Sequence, residues 1–197
     1  MANVDPLSRE ELAEFESLFQ TVEAALGFVP NSYFTMARRP ELLRAFARLA
    51  ATILRDGDVD PGLKQLVALL ASRSAGCRYC QAHTAEGAAR LGVEPAKIEA
   101  AFDFEISPLF DDRERAALRL ARDAALVPNA TEPVHFETLR QHFTDDQVVE
   151  IVAVIALFGF LNRWNDTMAT ALEDEPRLFA SEHLGHAGWQ PGKHARP

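Results

Sequence analysis

The chain has 197 residues, of which 48% are hydrophobic and 25% are charged, and its formal net charge is -9. This composition predicts a folded protein with enough apolar side chains for a core, and its length favours a single domain. The acidic balance and the lack of a Lys/Arg run argue against a nucleic-acid partner, because phosphate contacts need a concentrated basic face.

The apolar stretches of the sequence are short. The longest, Val148 to Leu161, is interrupted by Glu150 and falls below the roughly 20 residues that span a bilayer, and the first residues do not resemble a secretory signal. We therefore expect a cytoplasmic protein with no membrane partner. In that compartment a lone CxxC is more often catalytic or metal-binding than a structural disulfide.

Apolar residues recur at helical spacing in segments that are separated by Gly, Pro and capping residues. In chain order, the predicted helices run from Ser8 to Gly27, from Asn31 as cap to Ala37, from Pro40 to the stop at Asp56-Gly57, from Pro61 toward Ser74, from Cys77 to about Leu91, from Pro95 to Phe104, from a cap at Asp111 or Asp112 to Val127, from about Pro133 to His142, and from Asp145 to about Leu172.

No segment has the alternation of a strand or a fixed repeat, so the predicted fold class is all-α. We expect one helical domain over residues 1–181, with its core motif at 60–93. Residues 182–197 are not periodic, and we predict a C-terminal arm or tail that packs on a neighbouring subunit or is partly ordered. Its histidines, His183, His186 and His194, are assigned no role beyond adventitious metal binding.

The most informative stretch is AGCRYCQAHTAEGAARLGV, residues 75–93, in which Gly76 ends one helix directly before Cys77. Cys77 and Cys80 fall about 60° apart on one helix face, close enough for a disulfide after a small adjustment. Amide groups at a helix start favour a thiolate, and a nearby imidazole favours it further. His83, three residues after Cys80, is the predicted partner of that cysteine.

Three interpretations of this constellation stay open. In the redox interpretation, which we favour, Cys80 attacks as a thiolate, becomes a sulfenic acid and is resolved by Cys77. In the second, two small cysteines are core residues beside a satisfied histidine. In the third, they bind zinc, although one CxxC and one histidine supply too few ligands for a closed tetrahedral site.

Other polar and aromatic residues are candidates for supporting roles. Tyr79, between the cysteines, either adds a hydroxyl to the site or packs on its helix. Trp164 and Asn165 belong to the polar run 162–166, which either lines a cavity or ties its helix to neighbours. Core packing is preferred for Trp164, and Arg163 with Asp166 is predicted to form an i,i+3 pair.

The run LKQLVALLASRSAGCRYCQAHT resembles the core of the carboxymuconolactone decarboxylase and alkylhydroperoxidase D-like superfamily. The segments GFVPNSYFTMARRPELL and FGFLNRWNDTMA resemble those that accompany this core in peroxidase-related members, so the resemblance covers most of residues 25–172. It implies an alkylhydroperoxidase D-like helical bundle that forms homo-oligomers. An apolar helix such as Val148 to Leu161, which must be covered on all sides, also favours an oligomer.

In the alkylhydroperoxidase D type, the second cysteine attacks a hydroperoxide, the first resolves, and a glutamate and a histidine relay protons. The resemblance assigns these thiol roles to Cys80 and Cys77. The glutamate position holds Gln65, which cannot titrate but can orient a water or a thiol. The histidine comes one residue early, as His83, and Glu86 one turn later is a candidate carboxylate partner for it.

The expected activity is thiol-dependent reduction of a small hydroperoxide. Cys80, Cys77 and His83 are the predicted catalytic residues, an external dithiol or protein reductant resets the disulfide, and no metal or organic cofactor is implied. One alternative is a lactone decarboxylase-type reaction, which needs no thiol pair. Another is a non-enzymatic redox sensor whose disulfide switches its assembly. The possible supporting residues are Gln65, Glu86, Tyr79, Trp164 and Asn165.

Overall fold

A computed structural model describes residues 2–195 of the chain. The α-helices in this part are α1 Glu16–Leu26, α2 Asn31–Met36, α3 Pro40–Arg55, α4 Pro61–Ala75, α5 Arg78–Arg90, α6 Pro95–Glu99, α7 Asp112–Ala124, α8 Pro133–Leu139, α9 Asp145–Met168 and α10 Asp174–His183. Short 3-10 helices cover Glu10–Phe15, Ala100–Asp103, Gly185–Ala187 and Gly192–His194. No strand occurs within the described residues, and the all-α prediction is confirmed.

Helix α4 lies at the centre of the fold, because it packs against α5, α7 and α9 together. The side chains of these four helices form the larger apolar cluster, and α10 covers α5 from outside. The N-terminal helices and α3 form a second apolar cluster, which also includes Leu157 of α9. The cysteine motif is therefore carried by the two helices that the rest of the chain surrounds.

Local sequence determines the turn between α4 and α5. The Asp60 side chain accepts the Leu63 N–H at 2.9 Å and starts α4. Gly76 ends it with a φ of 78°, a left-handed conformation that glycine adopts without a steric penalty. Cys77 is then the N-cap of α5. The prediction that the cysteines lie at a glycine-broken helix start is confirmed.

Some predicted boundaries were wrong. Residues Glu10–Phe15 form a 3-10 rather than an α-helix, although Ser8 and Glu11 exchange capping hydrogen bonds at its start. Asn31 is not a cap, because its side chain instead donates to the Ala171 carbonyl at 2.9 Å. Helices α7 and α8 end at Ala124 and Leu139, which is three residues earlier than predicted in each case.

The largest correction concerns the end of α9. Ala169 has a left-handed φ of 50°, so the helix stops at Met168 instead of about Leu172. The chain then turns and forms α10, which the sequence analysis missed. Its acidic first turn, with Asp174 and Glu175, is nevertheless a usual helix-start signal.

The segment after α10, predicted as an arm or tail, lies against the helical body as far as residue 195. Leu184 and Trp189 are buried, and the Trp189 Nε1–H donates to the Arg78 carbonyl at 3.2 Å. The Leu172 N–H donates to the His194 carbonyl at 2.9 Å. These contacts bring the segment to the first turn of α5. The last two residues of the predicted tail lie outside the described part.

By length and composition alone, α9 is apolar enough to cross a membrane, a property that core helices of soluble proteins share. One face of it, including Ile151 and Val154, packs into the larger cluster. The opposite face leaves Val149, Val152 and Phe160 exposed. A second copy of the chain would cover such a face, and the homo-oligomer stays a prediction, as does the cytoplasmic location.

Candidate thiol site

The two cysteines form the centre of the candidate site. Both are free thiols, and both are buried, with 0% of Cys77 and 2% of Cys80 exposed. As the N-cap of α5, Cys77 accepts the Cys80 backbone N–H at its sulfur, 3.4 Å away. This bond makes the Cys77 sulfur the capping group of the helix, so the amide groups of the first turn act on it directly.

Two side chains lower the pKa of the same thiol. The Cys80 side chain is the largest influence on Cys77, and together with His194 it outweighs burial and lowers the pKa of Cys77 to about 6. A sulfur that accepts hydrogen bonds holds negative charge better than one that donates. These contacts therefore favour ionisation of Cys77.

The surroundings of Cys80 shift its pKa in the opposite direction. Burial raises the pKa of Cys80 well above its usual value, and the hydrogen bond to Cys77 and the charge of that neighbour raise it further. The Asn165 side-chain amide donates to the Cys80 sulfur at 3.6 Å and partly opposes this shift. The attacking role of Cys80 stays a prediction, and the backbone N–H bond to the Cys77 sulfur favours ionisation of Cys77.

His194 approaches Cys77 from the C-terminal segment and is only 1% exposed. Its Nδ1 lies 2.8 Å from the Thr170 carbonyl oxygen, which can only accept, so Nδ1 carries a proton. Nε2 has no hydrogen-bond partner within residues 2–195 and lies 3.6 Å from Asp166 Oδ1. Burial lowers the pKa of His194, but the influence of Cys77 and the hydrogen bond with Thr170 outweigh it, so the net shift is upward.

His83, the predicted partner of Cys80, is instead paired with a carboxylate that the sequence analysis did not single out. Its Nε2 lies 2.6 Å from Glu173 Oε2. The Tyr79 hydroxyl donates to Glu173 Oε1 at 2.8 Å, and the Tyr79 ring stacks on the His83 ring with 4.2 Å between centroids. Asn31 donates its backbone N–H to the same carboxylate.

These partners keep Glu173 ionised although it is buried. Burial raises the pKa of Glu173, but the attraction of His83 and the hydrogen bonds from His83 and Asn31 outweigh it, so the net shift is downward. Burial and the adjacent carboxylate raise the pKa of Tyr79 well above its usual value, which leaves its hydroxyl a donor. The result is a carboxylate, imidazole and phenol network on the first turns of α5.

Two predicted supporting residues lie elsewhere. Glu86 pairs with Arg90 and not with His83. Gln65 lies against Gly87, whose missing side chain leaves room for it: a Cβ there would come 3.1 Å from Gln65 Oε1. Gly87 is seven residues beyond Cys80, about 10 Å along a helix. The structure therefore does not bring Gln65 to the thiols, and Glu173 is the carboxylate beside His83.

The polar run at the end of α9 is divided between two environments. Asn165 reaches Cys80, as described above. Trp164 stacks on Phe160, with 5.9 Å between ring centroids, and packs against the second apolar cluster. The predicted Arg163 pair with Asp166 is wrong: Arg163 donates to the Gly159 carbonyl, and Asp166 pairs with Lys193 at 2.8 Å.

Zinc was one interpretation of the motif. Within residues 2–195, no group of three or more His, Cys, Asp or Glu side chains is arranged to hold a metal ion. Although His83 lies on the same helix as the cysteines, its imidazole is taken up by Glu173. The geometry gives the zinc interpretation no support.

Comparisons with known proteins agree with the fold and the motif. Residues 40–123 match the model of the carboxymuconolactone decarboxylase family. The structure of the debrominase Bmp8, solved as a cysteine-to-alanine variant in complex with 2,3,4-tribromopyrrole, is 36% identical, with a TM-score of 0.87 over 92% of this chain and 97% of Bmp8. The chain belongs to the carboxymuconolactone decarboxylase and alkylhydroperoxidase D-like superfamily, as its motif predicted.

Two further relatives are more distant. An uncharacterized peroxidase-related protein from Ralstonia eutropha JMP134, described as an alkylhydroperoxidase AhpD core, is 26% identical with a TM-score of 0.75, over 85% of this chain and 88% of its own. Uncharacterized protein YnjA of Escherichia coli K12 is 30% identical over 110 residues, which are 56% of this chain and 60% of YnjA. The match therefore spans less than two thirds of YnjA. The superfamily includes enzymes of different activities.

Proposed function

We propose that this protein is a thiol-dependent oxidoreductase in which Cys77 and Cys80 together reduce a small hydroperoxide and end as a disulfide. The observation that carries the proposal is the hydrogen-bonded thiol pair at the start of α5, in which one sulfur accepts the N–H of the other residue. An ionised sulfur beside a neutral thiol is the state that two-step thiol chemistry requires.

The reaction transfers two electrons. The thiolate attacks the outer oxygen of the hydroperoxide, so that an S–O bond forms, the O–O bond breaks, and the alcohol leaves after it gains a proton. The second thiol then attacks the sulfenic sulfur, which forms the disulfide and releases water. An external dithiol or protein reductant restores both thiols and is itself oxidised to a disulfide.

Two groups are suited to assist these steps. His83, held by the Glu173 carboxylate, has a side chain that is 15% exposed, and it can exchange protons with solvent. The Asn165 amide oxygen has no hydrogen-bond partner within residues 2–195, while its nitrogen donates to Cys80. A hydroperoxide carries the O–H donor that such an acceptor needs.

The first test is consumption of cumene hydroperoxide by purified protein with dithiothreitol. We expect multiple turnovers for the wild type and a loss of at least about 10³-fold for both Cys77→Ser and Cys80→Ser, because removing one member of a unit abolishes its function. His186→Gln, an exposed residue outside the thiol pair, is the control that should keep full activity. Equal rates for the wild type and both cysteine variants would refute the proposal.

Reductive debromination is the second candidate, and the similarity to Bmp8 favours it. In that reaction a brominated ring gains a proton, the thiolate removes the bromine while the C–Br electron pair stays with the ring, and the second thiol displaces bromide to form the disulfide. The chemistry of the thiol pair is the same, and the substrate differs.

The same preparations distinguish the candidates with a brominated pyrrole as substrate. Bromide release without hydroperoxide consumption selects debromination, and the reverse result selects the peroxidase. Turnover that survives in both cysteine variants would point to a lyase that needs no thiols. A change of oligomer size on oxidation, with no turnover of either substrate, would support the redox sensor instead.

A further inference from the structure

We propose that a cavity of about 570 Å³ close to the thiol pair binds the apolar part of the substrate, and that this substrate is an uncharged small molecule. The cavity lies between the N-terminal residues, α2 and the turn that follows α9. This inference rests on the proposed two-thiol function and deepens it, because it names the class of substrate and the place where the substrate binds.

The two sulfurs need a route for their substrate. Cys77 is 0% exposed and Cys80 is 2% exposed, so neither residue is open to bulk solvent. A hydroperoxide or a brominated ring must therefore approach through a cavity whose wall adjoins the site. Ligand pockets commonly have volumes of about 300–1,000 Å³, and this cavity falls within that range.

Two residues of the cavity wall are hydrogen-bonded to the thiol site. The Thr170 N–H donates to the Asn165 carbonyl at 3.1 Å, and the Asn165 side-chain amide donates to the Cys80 sulfur at 3.6 Å. The second wall residue is Asn31, whose backbone N–H donates to the Glu173 carboxylate. The cavity is therefore linked to Cys80 through one residue and adjoins the carboxylate network directly.

A polar group in the cavity wall lacks a partner. Thr170 is 4% exposed, and its hydroxyl makes no hydrogen bond within residues 2–195. The Asn165 amide oxygen, on the same turn, is also without a partner in that range. Buried polar atoms are nearly always hydrogen-bonded in folded proteins, so two open ones together indicate that a ligand completes them. We expect the polar end of the substrate at this turn, on the side of Cys80.

The rest of the lining determines what kind of molecule fits. Most of the described lining residues are apolar: Ala2, Pro6, Met168, Ala169, Ala171 and Ala195. Such a wall favours an apolar ligand, because burial removes apolar surface from water. The charged side chain among the described lining residues is Asp5, a carboxylate that repels an anion. The lining therefore favours a neutral ring or alkyl group that carries one small hydrogen-bonding function.

The N-terminal residues form one wall of the cavity and are held in place. The Asn3 N–H donates to the Met168 carbonyl at 2.8 Å, at the end of α9. The Arg38 guanidinium, just after α2, donates to the Asp5 carbonyl at 2.8 Å. These bonds tie the wall to two separate parts of the fold. The cavity is thus preformed, which lowers the entropic cost of binding a ligand.

The first test fills the cavity and compares two oxidants of different size, with dithiothreitol as the reductant. Ala171→Phe adds a ring to the lining, and Ala25→Phe, at an exposed position of α1, is the matched control. We expect kcat/KM for cumene hydroperoxide to fall at least about tenfold in Ala171→Phe. In Ala25→Phe it should change less than about twofold.

Hydrogen peroxide is the internal control, because it has no apolar group for the cavity to bind. Its rate should change less than about twofold in Ala171→Phe, since the thiols themselves are untouched. Equal losses with both oxidants in a folded variant, or unchanged rates with both, would overturn the inference.

A second variant does not require the fold to accept a larger residue. Thr170→Val keeps the shape of the side chain and removes the open hydroxyl. We expect KM for cumene hydroperoxide to rise about fivefold, the effect of one lost hydrogen bond. Thr21→Val, at an exposed position of α1, should leave KM unchanged. An unchanged KM in Thr170→Val would refute the placement of the polar end of the substrate.

The charge of the substrate gives a third readout. A cumene hydroperoxide with a carboxylate on the ring should have a kcat/KM at pH 7 at least about tenfold lower than the neutral compound, because an unpaired charge is costly to bury. Asp5→Asn should narrow that difference, since it removes the repelling carboxylate. Equal rates for the two compounds would refute the uncharged class of substrate.

A binding measurement separates the inference from the proposed function. 2-Phenyl-2-propanol, the alcohol product of cumene hydroperoxide, is titrated into the wild type and into Ala171→Phe, and binding is followed by NMR. Binding to the wild type alone, without turnover of any hydroperoxide or bromopyrrole, would keep the cavity as a ligand site and refute the two-thiol activity. Turnover that needs both cysteines but ignores Ala171→Phe and Thr170→Val would keep the activity and refute the inference.

The same titration at several protein concentrations tests a different occupant of the cavity. We expect the affinity for 2-phenyl-2-propanol to be independent of protein concentration. Binding that disappears as the chain associates would show that a second copy fills the cavity, and it would overturn the inference.

Discussion

The α4 to α5 hairpin and the later stretch from Asn165 to His194 make different contributions to the same site. The hairpin supplies both thiols and His83 from one short piece of sequence. The later stretch supplies the groups that set their charge: an amide, a carboxylate and an imidazole. The family model covers residues 40–123, and so it includes the first region and not the second.

The position of the thiols and their ionisation are therefore determined by different parts of the chain. A cap at Asp60 and a break at Gly76 are enough to put the cysteines at a helix start. The ionisation of those cysteines depends on side chains that arrive from distant parts of the chain. Members of one family can therefore share a fold and differ in the side chains that surround the site.

Among changes in the later stretch, Glu173→Gln should cause the largest loss of stability. This change leaves the shape of the side chain but removes the charge that His83, Tyr79 and Asn31 share. Breaking a buried pair of this kind costs about 2–4 kcal/mol of the free energy of unfolding. Urea denaturation at pH 7 measures it, and the exposed neighbour variant Glu175→Gln should lose less than about 0.5 kcal/mol.

The pH dependence of this loss of stability tests whether the pKa of Glu173 is lowered in the folded protein. The folded pKa of Glu173 is lowered, so its stabilisation is complete above the unfolded value near 4.3 and disappears as the pH falls through the folded value. The difference in stability between wild type and Glu173→Gln should therefore narrow below about pH 4. A difference that widens on acidification would contradict the assignment of an ionised Glu173.

A smaller effect is expected from Asn165→Ala. It removes the donor to the Cys80 sulfur, and a hydrogen bond of about 1 kcal/mol predicts a slowing of disulfide formation by about fivefold. Rapid quenching with acid after addition of hydroperoxide, followed by mass spectrometry, measures that rate.

Asn162→Ala is the matched control, because Asn162 is a buried amide one turn earlier on α9 with no side-chain hydrogen bond within residues 2–195. Equal slowing in both variants would mean that α9 packing, rather than the amide of Asn165, controls the second step.

The smallest effect is expected from Gln65→Glu, which restores the residue type that the family relay would place there. Because position 65 lies against Gly87, about 10 Å along α5 from Cys80, the new carboxylate should change turnover less than twofold. Glu86→Gln should be equally silent, since Glu86 pairs with Arg90. A tenfold gain from Gln65→Glu would show that a relay through the preceding helix operates after all.

Sequence predicted the parts of the molecule that local rules determine. Asp111, one of the two candidate caps, starts α7, the helix predicted from Asp145 begins there, and the cysteines lie where Gly76 ends α4. Glu173 and His194 could not be found in this way. Glu173 lies 90 residues from His83, and no local spacing relates two residues that meet only in the folded chain.

The end of α9 illustrates the same limit. An alanine in a left-handed conformation carries no sequence signal, since alanine ordinarily favours a helix. Once the chain turns there, Thr170 is positioned to fix the His194 ring, and the non-periodic segment that follows becomes part of the site. The expectation that Gln65 lies at the thiols was wrong for a related reason. Residue spacing along α4 does not tell which turn of α5 each α4 side chain contacts, and Gln65 contacts the turn at Gly87.

The separation of the thiols from their partners has a consequence for the newly made protein. Translation proceeds at about 5–20 residues per second, so His83 leaves the ribosome roughly 5 to 20 seconds before Glu173, which lies 90 residues further on, and His194 comes later still. During that interval the nascent chain carries two cysteines without the carboxylate and imidazole of the finished site. The growing polypeptide thus meets cellular oxidants before the later residues surround its two thiols, and the influence of His194 on the pKa of Cys77 begins only when the last segment folds.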